Sequence, residues 1–418
     1  MPNYKTIKGT HDLLPGQMDK WREVESQCLA ITKQFGYQEI RTPVFESTEL
    51  FQRGIGSDTD IVTKEMYSWK DQGGNRLTLK PELTAPVARA YIQHQMGNQN
   101  PLQRLSYYDT LFRRERPQKG RQRQFYQFGA EAIGSPHPEQ DAEIISLAYT
   151  IYKSFNIQNM IVKLNSIGSA EIRPAYLSHL RNTLQSKKQK LCNTCKTRLE
   201  INALRIFDCK NQSCQEILDT HAPLIFHSIS EDDKRHFDTV MDILTSTGIP
   251  FEHDKKLVRG LDYYSHTTFE VTSQSLGSQD ALCGGGRYDG LIQQLGGKYV
   301  PAVGFAAGVE RLLLAMAKNN AAVKFPLVYM LLLGEQVIKK GSELVQKLRK
   351  TTGKTIVMET LRRSMKAQMR EAGRCNAEYS IILGENELNS RMVVVKHMES
   401  GEQYEVPFSD LSAWFSVK

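Results

Sequence analysis

Apolar positions along the chain follow two periodicities, and the changes between them outline the elements. Trp21, Val24, Cys28 and Ile31 recur at helical spacing after the turn residues of 8–15, and Gly36 fits the helix end. The same spacing predicts an amphipathic helix over 139–155, with Pro138 near its start. Another starts at Ser230 and Asp233, carries Phe237, Val240, Met241 and Leu244 on one face and stops at Gly248. Strands are predicted at 76–79, 105–112, 125–131 and 161–164. Residues 81–92 turn helical in their later part. Residues 35–46 read as strand entry interrupted by Pro43, which places that segment at an edge or an interface. Strand signals return at Leu257, turn at Ser265 and His266, and continue through 267–272 and the glycine-rich 283–291. Residues 302–316 read as strand, glycine pivot and helix.

This order predicts an α+β protein. Residues 1–168 and 254–320 form two parts of one catalytic core. Between them, 169–253 is a helical, lysine-rich, cysteine-containing insertion. A polar linker at 317–324 leads to strands at 328–333, 355–358, 379–383 and 392–396. These alternate with helices, the first carrying Val337, Leu344, Val345 and Leu348 on one face, so 325–418 reads as a small α/β domain.

Composition changes this picture little. Apolar residues make up 40% and charged residues 24% of 418, ordinary for a soluble globular chain long enough for two or three domains. The most apolar run, 326–333, is too short to span a bilayer, and the first thirty residues hold no signal-type segment. A cytoplasmic protein without membrane contact is expected. The net charge of +8 is uneven. One basic cluster holds Arg104, Arg113, Arg114, Arg116, Lys119, Arg121 and Arg123, interleaved with glycine, proline and aromatics. A second runs from Lys339 to Arg374. Two patches so far apart suggest a long polyanion touched at two places.

Three constellations carry candidate chemistry. Residues 257–264, LVRGLDYY, place Arg259, Tyr263 and Tyr264 in an apolar stretch, where a fixed guanidinium can grip a phosphate with two donors. The loop 113–124 is bracketed by strands and crowded with arginines. Cys192, Cys195, Cys209 and Cys214 carry a set of thiols that either closes a zinc tetrahedron or stays free. The second pair is widely spaced, free thiols are the favoured reading, and no metal is assigned.

Five motifs in order carry a family resemblance. Residues 35–43, then Phe112, Arg113 and Glu115 with Phe125, then Gly304, Gly308, Glu310 and Arg311 are similar to the three motifs of class II aminoacyl-tRNA synthetases. LVRGLDYY and GGGRYDGL, at 257–264 and 284–291, look like the signatures of the histidyl-tRNA synthetase family within that class. The resemblance implies an antiparallel class II catalytic sheet followed by an anticodon-binding domain. It implies histidine–tRNA ligation: histidine attacks the α-phosphate of ATP, then passes to the tRNA 3′ end. ATP with Mg2+, L-histidine, the histidine tRNA and a homodimer joined near Pro43 complete the expectation.

By the same resemblance Arg113 and Arg259 are the catalytic cations, both also touching histidine. Glu82, Leu83, Thr84, Gln127, Glu131, Tyr263 and Tyr264 bind the amino acid. Glu115, Arg121, Phe125 and Arg311 join Arg113 around ATP, with Arg116 and Gln118 facing the tRNA acceptor end. The alternative is a synthetase-like regulatory subunit of histidine biosynthesis. That relative is expected to lack the last domain and to have eroded arginine motifs.

Overall fold

The structure is a computed structural model that describes residues 4–57, 59–118, 120–274, 280–316 and 327–417. Lys119, the whole linker 317–324 and the first residues of the last domain lie outside them. The chain divides into two compact units, Met1–Asn319 and Asn320–Lys418.

The first unit is built on an eight-stranded sheet. Its strand order is Gln38–Glu39, Gln103–Phe112, Gln124–Ile133, Ala302–Gly308, Ala281–Arg287, Ser265–Ser273, Met160–Ser166 and Phe251–His253. The six inner strands are antiparallel, and one short parallel strand closes each edge. Alternation gives the sheet two unlike faces. Phe128, Ala130 and Ala132 point to one side, where helices Pro15–Gln34, Pro138–Ser154 and Glu231–Ser246 bury Val24, Ile145, Ile151, Phe237 and Val240 against them. The intervening residues, Phe125, Gln127 and Glu131, face the other way, into a cleft. One strand thus contributes to both core and site, because its pleat sorts its side chains.

Two local readings are corrected. Residues 257–264 are not a strand: they form an irregular loop, and the strand begins at Ser265 with His266 at φ +47° rather than after a turn. Side chains hold the loop carbonyls in place of a ladder. Asn165 donates to Lys255 O at 3.2 Å and Leu257 O at 2.9 Å, and Arg173 donates to Asp262 O at 2.9 Å and to Tyr264 O. In the helical stretch 169–253, helix Glu231–Ser246 and strand Phe251–His253 join the main core and sheet. The helices and turns from Arg173 to Ser228 pack into a second apolar cluster.

Arg287, in the second signature, is scaffold. It is 1% exposed and pairs with the fully buried Asp141 at 2.6 Å. It also donates to Ser135 O and His137 O at 2.9 Å and to Asp289 at 3.3 Å. These bonds stitch the Ala281–Arg287 strand to helix Pro138–Ser154. Asp141→Asn, by removing the closer of this cation's two counter-charges and leaving Asp289 alone, is expected to lower unfolding stability by about 1–3 kcal/mol, measurable in urea titrations.

The second unit is a mixed five-stranded sheet, ordered Thr355–Met358, Leu327–Leu332, Tyr379–Leu383, Met392–His397 and Gln403–Pro407. The last strand has no counterpart in the sequence reading. Its alternating QYEVP pattern is only five residues long and half exposed. Helix Ile338–Thr352 buries Leu344, Val345 and Leu348. Part of the basic cluster here serves the fold. Arg363 binds Glu359 at 2.7 Å and Glu371 at 3.3 Å, and Arg349 donates to Ile356 O at 2.7 Å. No helix among the described residues is long and apolar enough to cross a membrane.

Candidate active site

The cleft on the sheet's open face has a volume of about 530 Å³. Its inner end is acidic and its outer end is cationic.

Glu82 lies at the inner end just before helix Thr84–Gln93, and its carboxylate accepts the backbone N–H groups of Thr84 and Ala85, both at 2.9 Å. Such donors suit an anion, yet burial still raises the Glu82 pKa. Glu131 is 1% exposed. It accepts Thr84 Oγ1 at 2.8 Å, Tyr107 OH at 3.0 Å and Tyr288 OH at 2.6 Å. Burial outweighs these three hydroxyls and pushes its pKa up to about 7. A carboxylate has about four acceptor positions, so one remains for a ligand. Gly304 lies directly opposite in the ladder, and a Cβ there would collide with Glu131 Oε2. Tyr263 and Tyr264 are buried with ring centroids 4.7 Å apart, and Tyr263 meets Tyr288 edge-on at 5.6 Å. Leu83 is also buried and lines the wall.

The outer end gathers arginines. Arg113 donates to Pro81 O at 2.8 Å, and its guanidinium lies 5.3 Å over the Phe125 ring. Glu115 stands between Arg113, at 3.7 Å, and Arg121, at 3.3 Å. Arg311 donates to Ala281 O at 2.6 Å; burial and then the nearby Arg121 lower its pKa. Glu310 accepts the Tyr126 N–H at 3.0 Å, tying the start of helix Val309–Ala315 to the sheet. Arg259 reaches in from the 257–264 loop, pairs with Glu270 and lies so close to Gly284 that a Cβ there would overlap its guanidinium. Burial disfavours its charge, but Glu270, Tyr264 and Asp208 together outweigh that and hold the pKa above the usual arginine value.

Among the described residues, two buried polar atoms in this cleft have no hydrogen-bond partner: Arg259 Nε and Gln127 Oε1. One is a donor at the cationic end, and the other is an acceptor deeper in. Buried groups of this kind are paired in most proteins, so a ligand with an acceptor near Arg259 and a donor near Gln127 would complete them.

The cleft therefore brings together all the residues expected around histidine and ATP. Arg116 and Gln118 lie apart from it, exposed on the loop that Gln118 and Arg121 close through backbone bonds of 3.0 and 2.9 Å. Sequence reasoning did not single out Tyr107, Glu270, Asp60 or Arg205, and took Tyr288 only as part of a signature. A carboxylate at 270 inside a run of β-branched and aromatic residues was the one visible signal. Tyr107 alternates with Tyr108, and without the fold nothing says which of the two bonds Glu131 and which joins the other core cluster.

Comparison with known proteins decides which family the chain belongs to. The histidyl-tRNA synthetase profile matches residues 9–312, and the anticodon binding domain profile matches 327–418. The histidine–tRNA ligase of Chloroherpeton thalassium is 48% identical over 414 residues, covering 98% of this chain and 96% of that one.

The chain belongs to the histidyl-tRNA synthetase family.

A second relative, the histidine–tRNA ligase of Natranaerobius thermophilus, is 44% identical over 406 residues and 96% of both chains. The crystal structure of apo S. aureus histidyl-tRNA synthetase superimposes with a TM-score of 0.83 at 34% identity, covering 99% of this chain and 100% of that one. As a member of this family the chain is a histidine–tRNA ligase, with a class II catalytic domain and its own anticodon-binding domain. The regulatory-subunit alternative fails on both points it predicted: the last domain is present, and so are Arg113, Arg259 and Arg311.

Proposed function

We propose that the two ends of the cleft divide the work of histidine activation. The observation that carries this reading is the pairing of a buried acidic floor with a cationic rim in one cavity. Histidine has the matching polarity: an ammonium and an imidazole to satisfy acceptors, and a carboxylate to be brought to a phosphate. Gln127, Glu82 and Thr84 receive the amine end, while Glu131 with Tyr263 and Tyr264 holds the ring. An apolar or singly polar side chain would leave buried acceptors unpaired there, which is costly.

The reaction needs no general base, because the attacking carboxylate is already ionised at neutral pH. A carboxylate oxygen bonds to the α-phosphorus, and the phosphorus–oxygen bond to pyrophosphate breaks. The site must hold two anions together and stabilise the charge that builds on the phosphate. Arg113 bridges the carboxylate and the α-phosphate, and Arg259 approaches the same phosphate from the opposite wall. Phe125 and Arg311 enclose the adenine, and Arg121 and Glu115 flank the outer phosphates. Bound with ATP, Mg2+ would supply charge to shield the phosphate oxygens. Glu115 and Glu310 line the cleft and fit the one or two carboxylates that a phosphate-borne ion needs.

The terminal ribose hydroxyl of the histidine tRNA then attacks the activated carbonyl and releases AMP. Arg116 and Gln118, exposed on their loop, receive the acceptor end; residues 327–418 dock the anticodon region. A homodimer is supported by the exposed Val44, Phe45 and Trp69 around Pro43, an apolar group that a second copy would cover. Alanine at both 116 and 118 is expected to slow tRNA charging at least about tenfold while pyrophosphate exchange stays near normal. Equal loss in both assays would move these residues from tRNA to ATP.

A further inference from the structure

We infer that the insertion carries a structural zinc site made by Cys192, Cys195, Cys209 and Cys214. Their four sulfurs lie within 4.8 Å of one another, with Cys192 and Cys209 at 3.9 Å. A zinc ion bound at about 2.3 Å by four thiolates sets its ligands about 3.8 Å apart, so the four are near a tetrahedron already. A disulfide would instead draw two sulfurs to about 2.0 Å and leave the others aside. The spacing within each pair, two and four intervening residues, is within the range of structural zinc sites.

The surroundings suit a bound metal cluster. Cys192 caps helix Asn193–Ile201 and Cys195 sits in its first turn; Cys214 occupies the first turn of helix Gln212–His221. Two helix N-termini thus converge on the sulfurs. The backbone N–H of Cys192 donates to Cys214 Sγ at 3.2 Å, and that of Asn211 donates to Cys209 Sγ at 3.4 Å. Lys190, Lys196 and Lys210 flank the cysteines and offset the negative charge of a four-thiolate site. Cys195 and Cys214 are fully buried among Leu199, Ile206 and Leu218, which excludes water from the back of the site.

The site has something to hold. Between the two pairs runs the turn Ala203–Asp208, whose Arg205 reaches Asp60 at 2.6 Å on the cleft wall. Asn202 beside it donates to Asp262 at 2.7 Å, within the loop that carries Arg259. A metal at the four sulfurs pins both ends of this segment and braces the Arg259 loop from outside. Zinc is here a staple for the insertion and takes no part in the chemistry.

The test uses the full-length protein, expressed with added zinc and purified reduced without chelator. Elemental analysis should find about one equivalent of zinc per chain, with the four thiols unreactive until the protein is denatured. Reconstitution with cobalt(II) should give the visible absorption of a tetrahedral thiolate complex. Cys209→Ser should lose the metal and melt at lower temperature, whereas Cys375→Ser, in the other unit, should keep both. Substoichiometric metal with four reactive thiols, or disulfides between these cysteines in the native protein, overturns the proposal. So does full zinc content in Cys209→Ser.

Discussion

Arg259→Ala is expected to slow histidine-dependent pyrophosphate exchange about 100- to 1,000-fold, the range seen when one preorganised donor to developing charge is removed. The melting temperature should hardly move. Arg259 and Glu270 are each about a quarter exposed, so their ion pair adds little to folding, and the loop carbonyls are held by Asn165 and Arg173 whether or not the arginine is present. Arg259→Lys should recover part of the rate, since it restores charge but not the planar pair of donors. Near-normal exchange in the alanine variant would place Arg259 away from the α-phosphate.

The second large effect falls on Glu131. Glu131→Gln is expected to raise KM for histidine by about 100-fold, because the acceptor facing the imidazole becomes an amide of fixed polarity. Its effect on stability should have the opposite sign. The folded-state pKa of Glu131 is raised to about 7 from 4.5, so folding favours the neutral acid. Wild-type stability contributed by this group is therefore full below pH 4.5 and is lost as pH rises to about 7, by about 3 kcal/mol in all. Glutamine removes that slope. Urea unfolding at pH 5 and pH 8 should show the variant gaining on the wild type at the higher pH, while its histidine binding is worse at both. Loss of stability at pH 8 alongside unchanged KM would mean that Glu131 is scaffold. The trade is the usual one for a binding site: a charge costly to bury is kept because the ligand needs it.

Much of this was legible in the chain. Helix periodicity located Pro138–Ser154 and Glu231–Ser246 within a few residues, since each buries one continuous apolar face. Arg259 stood out as a charge set in an apolar stretch, whereas Arg113 and Arg311 were picked out by the resemblance of their motifs to those of the family. What the sequence hid was pairing across distance. Arg287 looked like part of a substrate signature until Asp141, 146 residues away, proved to be its partner. The 257–264 loop mimicked a strand because burial selects the same residue types whether carbonyls are met by a ladder or by Asn165 and Arg173. Tyr107, Tyr288 and Thr84 converge on Glu131 from three separate elements, which no local pattern reveals. The four cysteines were ambiguous for the same reason: spacing permits a cluster, but only the fold brings the sulfurs together.

The most direct test of the central claim is ATP–pyrophosphate exchange with the purified, folded protein and each amino acid in turn. Exchange is expected with histidine and ATP together and with no other amino acid at comparable concentration. Absence of histidine-dependent exchange, in protein shown to be folded and to bind ATP, would contradict it.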